Sequence, residues 1–307
     1  MKWRIVTTVA AAALLAAVAV GYALARPVPA VTETGVALTG PGLLVRDTVS
    51  GRMAVQYPDG TRAQTPLVCA RVYAAAGTGA CLREGAGSYQ LVVLDNALRE
   101  LRTEPLGGVP NRVRVSADGR MVSWTVFVTG DSYNTGEFST RTGILDTRTG
   151  TLVDSLEGFT VQDGRPNQDA NFWGVTFAAD ENRFYATMST GGRRFLMEGD
   201  FATRSMRRIA ENVECPSLSP DNTRLAYKKM LPDRSWRLTV LSLADLTQTP
   251  LAETRSVDDQ VAWLDDRTVA YGLPRPGSGA DVWTVPADGG GAPRLLAADA
   301  ESPAVLR

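Results

Sequence analysis

The sequence predicts an all-β fold, a six-bladed β-propeller of four-stranded blades, closed by both termini and preceded by an N-terminal signal or anchor helix. Three observations predict it. Short apolar runs joined by acidic turns recur along the chain, as in "CPSLSPDNTRLAYKK" at 215–229. The recurrence is spaced by about 40 to 45 residues, the period of a propeller blade. The two ends of the chain are complementary fragments of one such unit.

In chain order, the first segment is "MKWRIVTTVAAAALLAAVAVGYALA", residues 1–25, with Lys2 and Arg4 ahead of an uncharged, mostly apolar run from Ile5 to Ala25. This is the composition of an export signal. Ala23-Leu24-Ala25 offers a cleavage site before Arg26. Equally, a helix rising about 1.5 Å per residue over 5–25 is long enough to stay uncleaved as a membrane tether. In both cases the basic start stays on the cytoplasmic side and the body is sent outward, so an extracytoplasmic protein is expected, secreted or anchored to the cell membrane. Residues 26–40, with Pro27 and Pro29, read as a linker, and 41–307 as the propeller.

Within the propeller, "GLLVRDTVSGRMAVQYPDGTRAQTPL" at 42–67 reads as a unit without its first strand. The next unit, 67–106, is complete, with "LVVLD" as third strand and a Gly77-containing turn in place of the acidic one. "VRVSADGRMVSWTVFV" at 113–128 turns at Asp118-Gly119, "VTFAADENRFYATM" at 175–188 at Asp180, the hairpin from Pro216 to Tyr227 at Asp221, and "VAWLDDRTVAYGL" at 261–273 at Asp265 and Asp266. Asp, Asn and Gly belong there because they tolerate the left-handed backbone of a tight turn or hydrogen-bond back onto it. Third strands follow in "TGILDTRTG", "FLMEGDFAT", "LTVLSLADL" and "VWTVPADGG", and weaker fourth strands in "TLVDSLEG", "SMRRIAE" and "APRLLAAD". Finally, "ESPAVLR" at 301–307 supplies the first strand that 42–67 lacks, which closes the ring without an unpaired edge at the joint.

Composition narrows the function. Hydrophobic residues make up 44% of the chain, enough for a packed body. Of 32 basic residues, Lys2 and Arg4 fall in the leader, which leaves 30 against 33 acidic ones and argues against a nucleic-acid surface. Histidine is absent. Mechanisms that need an imidazole base or nucleophile relay are therefore excluded, and what remains is chemistry that carboxylates, Tyr, Arg or a carboxylate-bound metal could run.

The hairpin units, "SLSPDNTRLAY" above all, resemble the P-x-x-S-P-D-G-x-x-I-A-F unit of TolB-like β-propellers, and a leader followed by one propeller is similar to exported actinobacterial members of that group. The resemblance covers 41–307. It implies the fold and says almost nothing of activity. Similar repeats occur in propeller domains attached to serine peptidases, but no catalytic His is present here. Asn222 and Glu181 stand where the family's turn has Gly, and Trp263-Leu264 where it has Ser-Pro.

Cys69 and Cys81 flank the turn "ARVYAAAGTGA" and are expected to face each other on paired strands as a disulfide, the alternative being two buried thiols. Cys215 reads as a small buried hydrophobe. The interval from Asp118 to Asp180 is 62 residues, where 41 and 44 follow, and the excess falls in 129–143 and 157–174. Enlarged loops on a rigid ring gather binding residues, so Tyr133, Asn134, Arg165, Asn167, Asp169 and Trp173 are the binding-loop candidates. The competing reading is a solvated insertion with Trp173 folded onto its blade. Asp131, Glu137, Asp163 and Asp169 match no calcium-loop spacing, and neither a metal site nor a cofactor is expected. Lys228 and Lys229 read as a solvated or snorkelling strand end.

These features point to an exported, monomeric, non-catalytic propeller that binds a protein or cell-envelope ligand. The alternatives are a carboxylate-based carbohydrate-active enzyme and an inert extracytoplasmic sensor or spacer. The enzyme requires carboxylates converging at the channel mouth beside aromatic platforms.

Overall fold

Strands form wherever a β-branched or aromatic run is bounded by the turns named above. The computed structural model describes residues 35–128, 139–162 and 169–307. After β1 (Gly42–Asp47), β2 (Arg52–Gln56) and β3 (Arg62–Val68), blade I holds β4 (Arg71–Ala75), β5 (Thr78–Glu84), β6 (Tyr89–Leu94) and β7 (Glu100–Leu106). Blade II holds β8 (Val109–Val115), β9 (Met121–Val128), β10 (Ser139–Asp146) and β11 (Leu152–Val153). Blade III is built from β12 (Thr160–Val161), β13 (Asn171–Phe177), β14 (Arg183–Thr190), β15 (Arg193–Asp200) and β16 (Ser205–Glu211). Blade IV has β17 (Glu214–Leu218), β18 (Arg224–Met230), β19 (Trp236–Ser242) and β20 (Gln248–Pro250). Blade V has β21 (Ala262–Asp265), β22 (Thr268–Pro274), β23 (Ala280–Pro286) and β24 (Arg294–Ala297), and β25 (Ala300–Leu306) completes blade VI.

β25 pairs antiparallel with β1, Leu43 opposite Val305 and Leu44 opposite Ala304, so both chain ends share one sheet in the order β25-β1-β2-β3. Among the described residues the buried apolar side chains fall into six clusters, one at each interface between neighbouring blades. This is why the blade strands are apolar on both faces: each sheet is covered twice.

Two expectations are corrected. Blade III has five strands, not four, because β12 adds to β16 in parallel, Thr160 opposite Ser205 and Val161 opposite Met206. The cause lies in "TLVDSLEG": β11 is only two residues long, and the chain then makes a 3-10 turn at Leu156–Gly158, capped by the Ser155 hydroxyl. Leu156, Phe159 and Val161 are thereby buried in the cluster between blades II and III. The disulfide does form between Cys69 and Cys81, with Cα atoms 5.6 Å apart, but the two residues do not face each other across a hairpin. Val72 is the residue opposite Cys81, and the hairpin turn is only Ala76 and Gly77, both with positive φ. Cys69 lies in the link from blade VI, where its N–H donates to Gly51 O, so the disulfide fastens that link to β5 of blade I.

The acidic turns brace the ring. Asp118 accepts from the Ser116 hydroxyl and Arg120 N, Asp180 from Asn182 N and Arg183 N, and Asp221 from the Ser219 hydroxyl and Thr223 N. Glu181 and Asn222 occupy the family's Gly position with φ of 58° and 59°, as Gly119 does with 81°. Successive turns then join: Arg120 pairs with Glu181, Ala179 N donates to Asn222 Oδ1 and Asp221 N to Asp266 Oδ1.

Candidate functional site

The inner strands β25, β4, β8, β13, β17 and β21 line a central channel, all starting at one mouth, here the upper, and ending at the lower. The channel is interrupted halfway. Gln260 Nε2 donates to Val175 O of blade III at 3.0 Å and to Pro216 O of blade IV at 2.9 Å. Arg114 Nη2 reaches across from blade II to Val261 O at 2.9 Å, its guanidinium lying over the Tyr73 ring. A small cavity of about 20 Å³ lies at this level beside Tyr73, Arg114 and Gln260.

Above the obstruction lies a cavity of about 410 Å³. β8 brings Arg112 into it, β15 Arg194, β17 Glu214 and Cys215, β18 Lys228, β13 Trp173 and β19 Trp236, while Asp258 comes from the segment before β21. The charges are paired across blades. Lys228 Nζ lies 2.5 Å from Asp258 Oδ1 and 4.5 Å from the centre of the Trp236 ring; Arg112 Nη2 donates to both Asp258 O and Oδ1. Trp236 Nε1 donates to Glu214 Oε1, and Arg194 Nε approaches the same oxygen to 3.1 Å. Lys228 is thus buried rather than solvated: its register opposite Glu214 turns it into the channel mouth. Only Lys229 of the pair behaves as a strand-end lysine, bonding Gln248.

Electrostatics at this mouth are crowded. Surrounding protein works to raise the Asp258 pKa, yet Lys228 and Arg112 outweigh it and the carboxyl sits below its ordinary value. The neighbouring Arg71, bonded to Asn111 O, is lowered, first by burial and then by the like charge of Arg112. Burial also opposes the charge on Arg112, but Cys215, Asp259 and Asp258 reverse the balance and its pKa is raised. The wall is closely set: a Cβ on Gly174, whose φ is +66°, would stand 2.7 Å from Cys215 Cα. Cys215 is a buried free thiol with φ of 49° whose N–H donates to the Thr187 hydroxyl.

Of the residues singled out in the sequence, Trp173 lines this cavity half-buried. Asp169 braces the turn after β14, accepting from the Thr190 hydroxyl at 2.7 Å and Gly191 N at 2.6 Å, which hold its carboxyl below the usual range. Tyr133, Asn134, Arg165 and Asn167, like Asp131, Glu137 and Asp163, lie outside the described residues. Arg112, Arg194, Glu214, Trp236 and Asp258 were not legible one by one. A partial signal existed in the repeat: Arg71, Glu214 and Glu301 stand in the first two residues of inner strands β4, β17 and β25.

At the lower mouth a second cavity, of about 200 Å³, is lined by the repeat turns and by Tyr73, Arg114, Phe177 and Trp263. Trp263 Nε1 donates to Ser217 O at 2.8 Å, which shows why an indole can stand where the family has a turn serine.

No family model matches the sequence, and no curated protein matches it. Solved structures do. TolB from Acinetobacter baumannii superposes with a TM-score of 0.62 at 15% identity, over 86% of this chain and 65% of that one. A chain of a nidogen/laminin complex gives 0.53 at 12% identity, over 81% of this chain and 90% of that one. A puromycin-hydrolysing peptidase of Mycobacterium tuberculosis gives 0.51 at 14% identity, over 85% of this chain and 46% of that one. Likeness at such identities is likeness of fold, and one of the three names is that of an enzyme, so the fold by itself fixes no activity.

Proposed function

We propose that this chain, which has the fold of a TolB-like six-bladed propeller, is an extracytoplasmic binding module that takes a protein or cell-envelope ligand at its upper cavity and catalyses no reaction. The observation that carries the reading is the pairing of both carboxylates that line that cavity among the described residues: Asp258 with Lys228 and Arg112, Glu214 with Arg194. Asp258, held below its ordinary value, is a poor proton donor, whereas a glycosidase needs one carboxyl raised to act as an acid. Fixed aromatic walls and a few placed polar groups are instead what a binding pocket requires. The disulfide supports an oxidising compartment, and the composition of 1–25, as export signal or anchor ahead of a linker at 26–40, agrees with it.

The test is capture from envelope fractions by the full chain, compared with a Trp173→Ala, Arg194→Gln double variant whose folding is checked by thermal unfolding. The captured component should be lost from the variant. Equal recovery by both proteins would remove the upper cavity from the binding role.

A further inference from the structure

We infer that the upper cavity accepts a monoanionic carboxylate carried on an aromatic or apolar body, supplied either by a small free acid or by the C-terminal end of a polypeptide; this rests on the binding role proposed above. Charge comes first. Among the described residues lining the cavity, Arg112, Arg194 and Lys228 face Glu214 and Asp258, which leaves one positive charge over. A carboxylate would neutralise it. A dianionic phosphate would leave a net negative charge beside two carboxylates, and a cationic ligand would add to three cations already present.

Donor geometry points the same way. Arg112 is only 8% exposed, and its Nε makes no hydrogen bond within the protein. Arg194 Nε is likewise without one, since its approach to Glu214 is an ion-pair contact outside hydrogen-bond geometry. Both Nε atoms are covered by protein, so what the two side chains offer a ligand is their charge, and a planar carboxylate is the anion that matches a guanidinium. The aromatic body follows from the walls. Lys228 occupies a face of Trp236, while Trp173 lines the cavity half-buried, placed to pack against a ring.

Calorimetric titration of the full chain tests this with phenylacetate, its uncharged isostere phenylacetamide, phenylphosphonate, and a pentapeptide ending in Phe with its carboxyl free or amidated. Phenylacetate should bind about tenfold more tightly than the amide, and Arg194→Gln should cost about tenfold in phenylacetate affinity. Glu214→Gln, which removes a negative charge beside Arg194, should tighten binding by about threefold. A damaged fold cannot produce that gain. Tighter binding of the free-acid peptide than of phenylacetate assigns the site to a chain end, and the reverse assigns it to a free acid. Equal affinity for acid and amide, preference for the phosphonate, no binding of either acid, or indifference to both substitutions overturns the inference. If envelope capture still depends on Trp173 and Arg194 while no acid binds, the carboxylate inference falls and the binding role stands.

Discussion

The lower mouth of the channel is lined by the repeat itself, turn after turn of Ser, Ala, Asp and Asn bonded to the next blade's turn, whereas the upper mouth takes one dissimilar side chain from each of several blades. Arg120, clamped between Asp146 and Glu181, ties blade II to blade III below. Above, Lys228, Arg112 and Asp258 meet from blades IV, II and V. On one rim the turns themselves bridge three successive joints, from blade II to blade V. The other is released from that duty and can differ at each blade, which is where a ligand preference can be written.

Substitutions at the two rims should therefore separate stability from binding. The largest stability loss is expected from Arg120→Ala, which leaves the Asp146 carboxylate, 2% exposed, without its bidentate partner. The urea midpoint should fall more than for any other variant, with unchanged affinity at the upper cavity. A midpoint equal to that of the unsubstituted chain would mean that the lower rim does not hold the ring. Replacing Cys69 and Cys81 together by Ala releases a loop with a sequence separation of 12 and should cost about 3 kcal/mol, seen as a lower denaturant midpoint. Trp263→Phe keeps the ring but strands Ser217 O, at about 1–2 kcal/mol.

A smaller effect should appear on acidification. Burial works to raise the Asp221 pKa, but the Ser219 and Thr223 bonds and Arg224 overcome it and bring the carboxyl to about 2, from an ordinary 3.8. A folded-state value below the unfolded one means that its stabilisation is complete above 3.8 and fades as pH falls from 3.8 toward about 2. Asp221→Asn should flatten that part of the acid-unfolding curve; an unaltered slope would assign the loss to other carboxylates. The smallest change is expected at the upper rim, from Asn111→Ala. The Asn111 backbone carbonyl, not its side chain, is the acceptor for Arg71 and Arg112, so unfolding should shift by no more than about 0.5 kcal/mol.

The same contrast explains what could be read in advance. Blade number, the closure of 301–307 onto 42–67 and the role of Asp118, Asp180 and Asp221 follow from local turn chemistry repeated at a fixed interval, and a repeat needs no knowledge of long-range contacts. β12 escaped because a two-residue strand has no pattern, and its pairing depends on where Leu156 and Phe159 find apolar cover. The disulfide partners were legible, but their placement depended on a hairpin turn shorter than the sequence suggested. The upper cavity escaped almost entirely. Residues 112, 194, 214, 228, 236 and 258 become neighbours only when the ring shuts, and among the described residues the enlarged loops of 129–143 and 157–174 add Thr140, Asn171 and Trp173 to its lining.

Gln260, by spending both of its amide hydrogens on carbonyls of two other blades, makes the upper cavity a blind alley. On the binding role proposed above, a ligand would enter and leave through one opening, so one set of residues would govern both. Shortening that side chain to Ala removes one of two bars, and only with Arg114 shortened as well should a passage open from top to bottom, turning a cup into a tube.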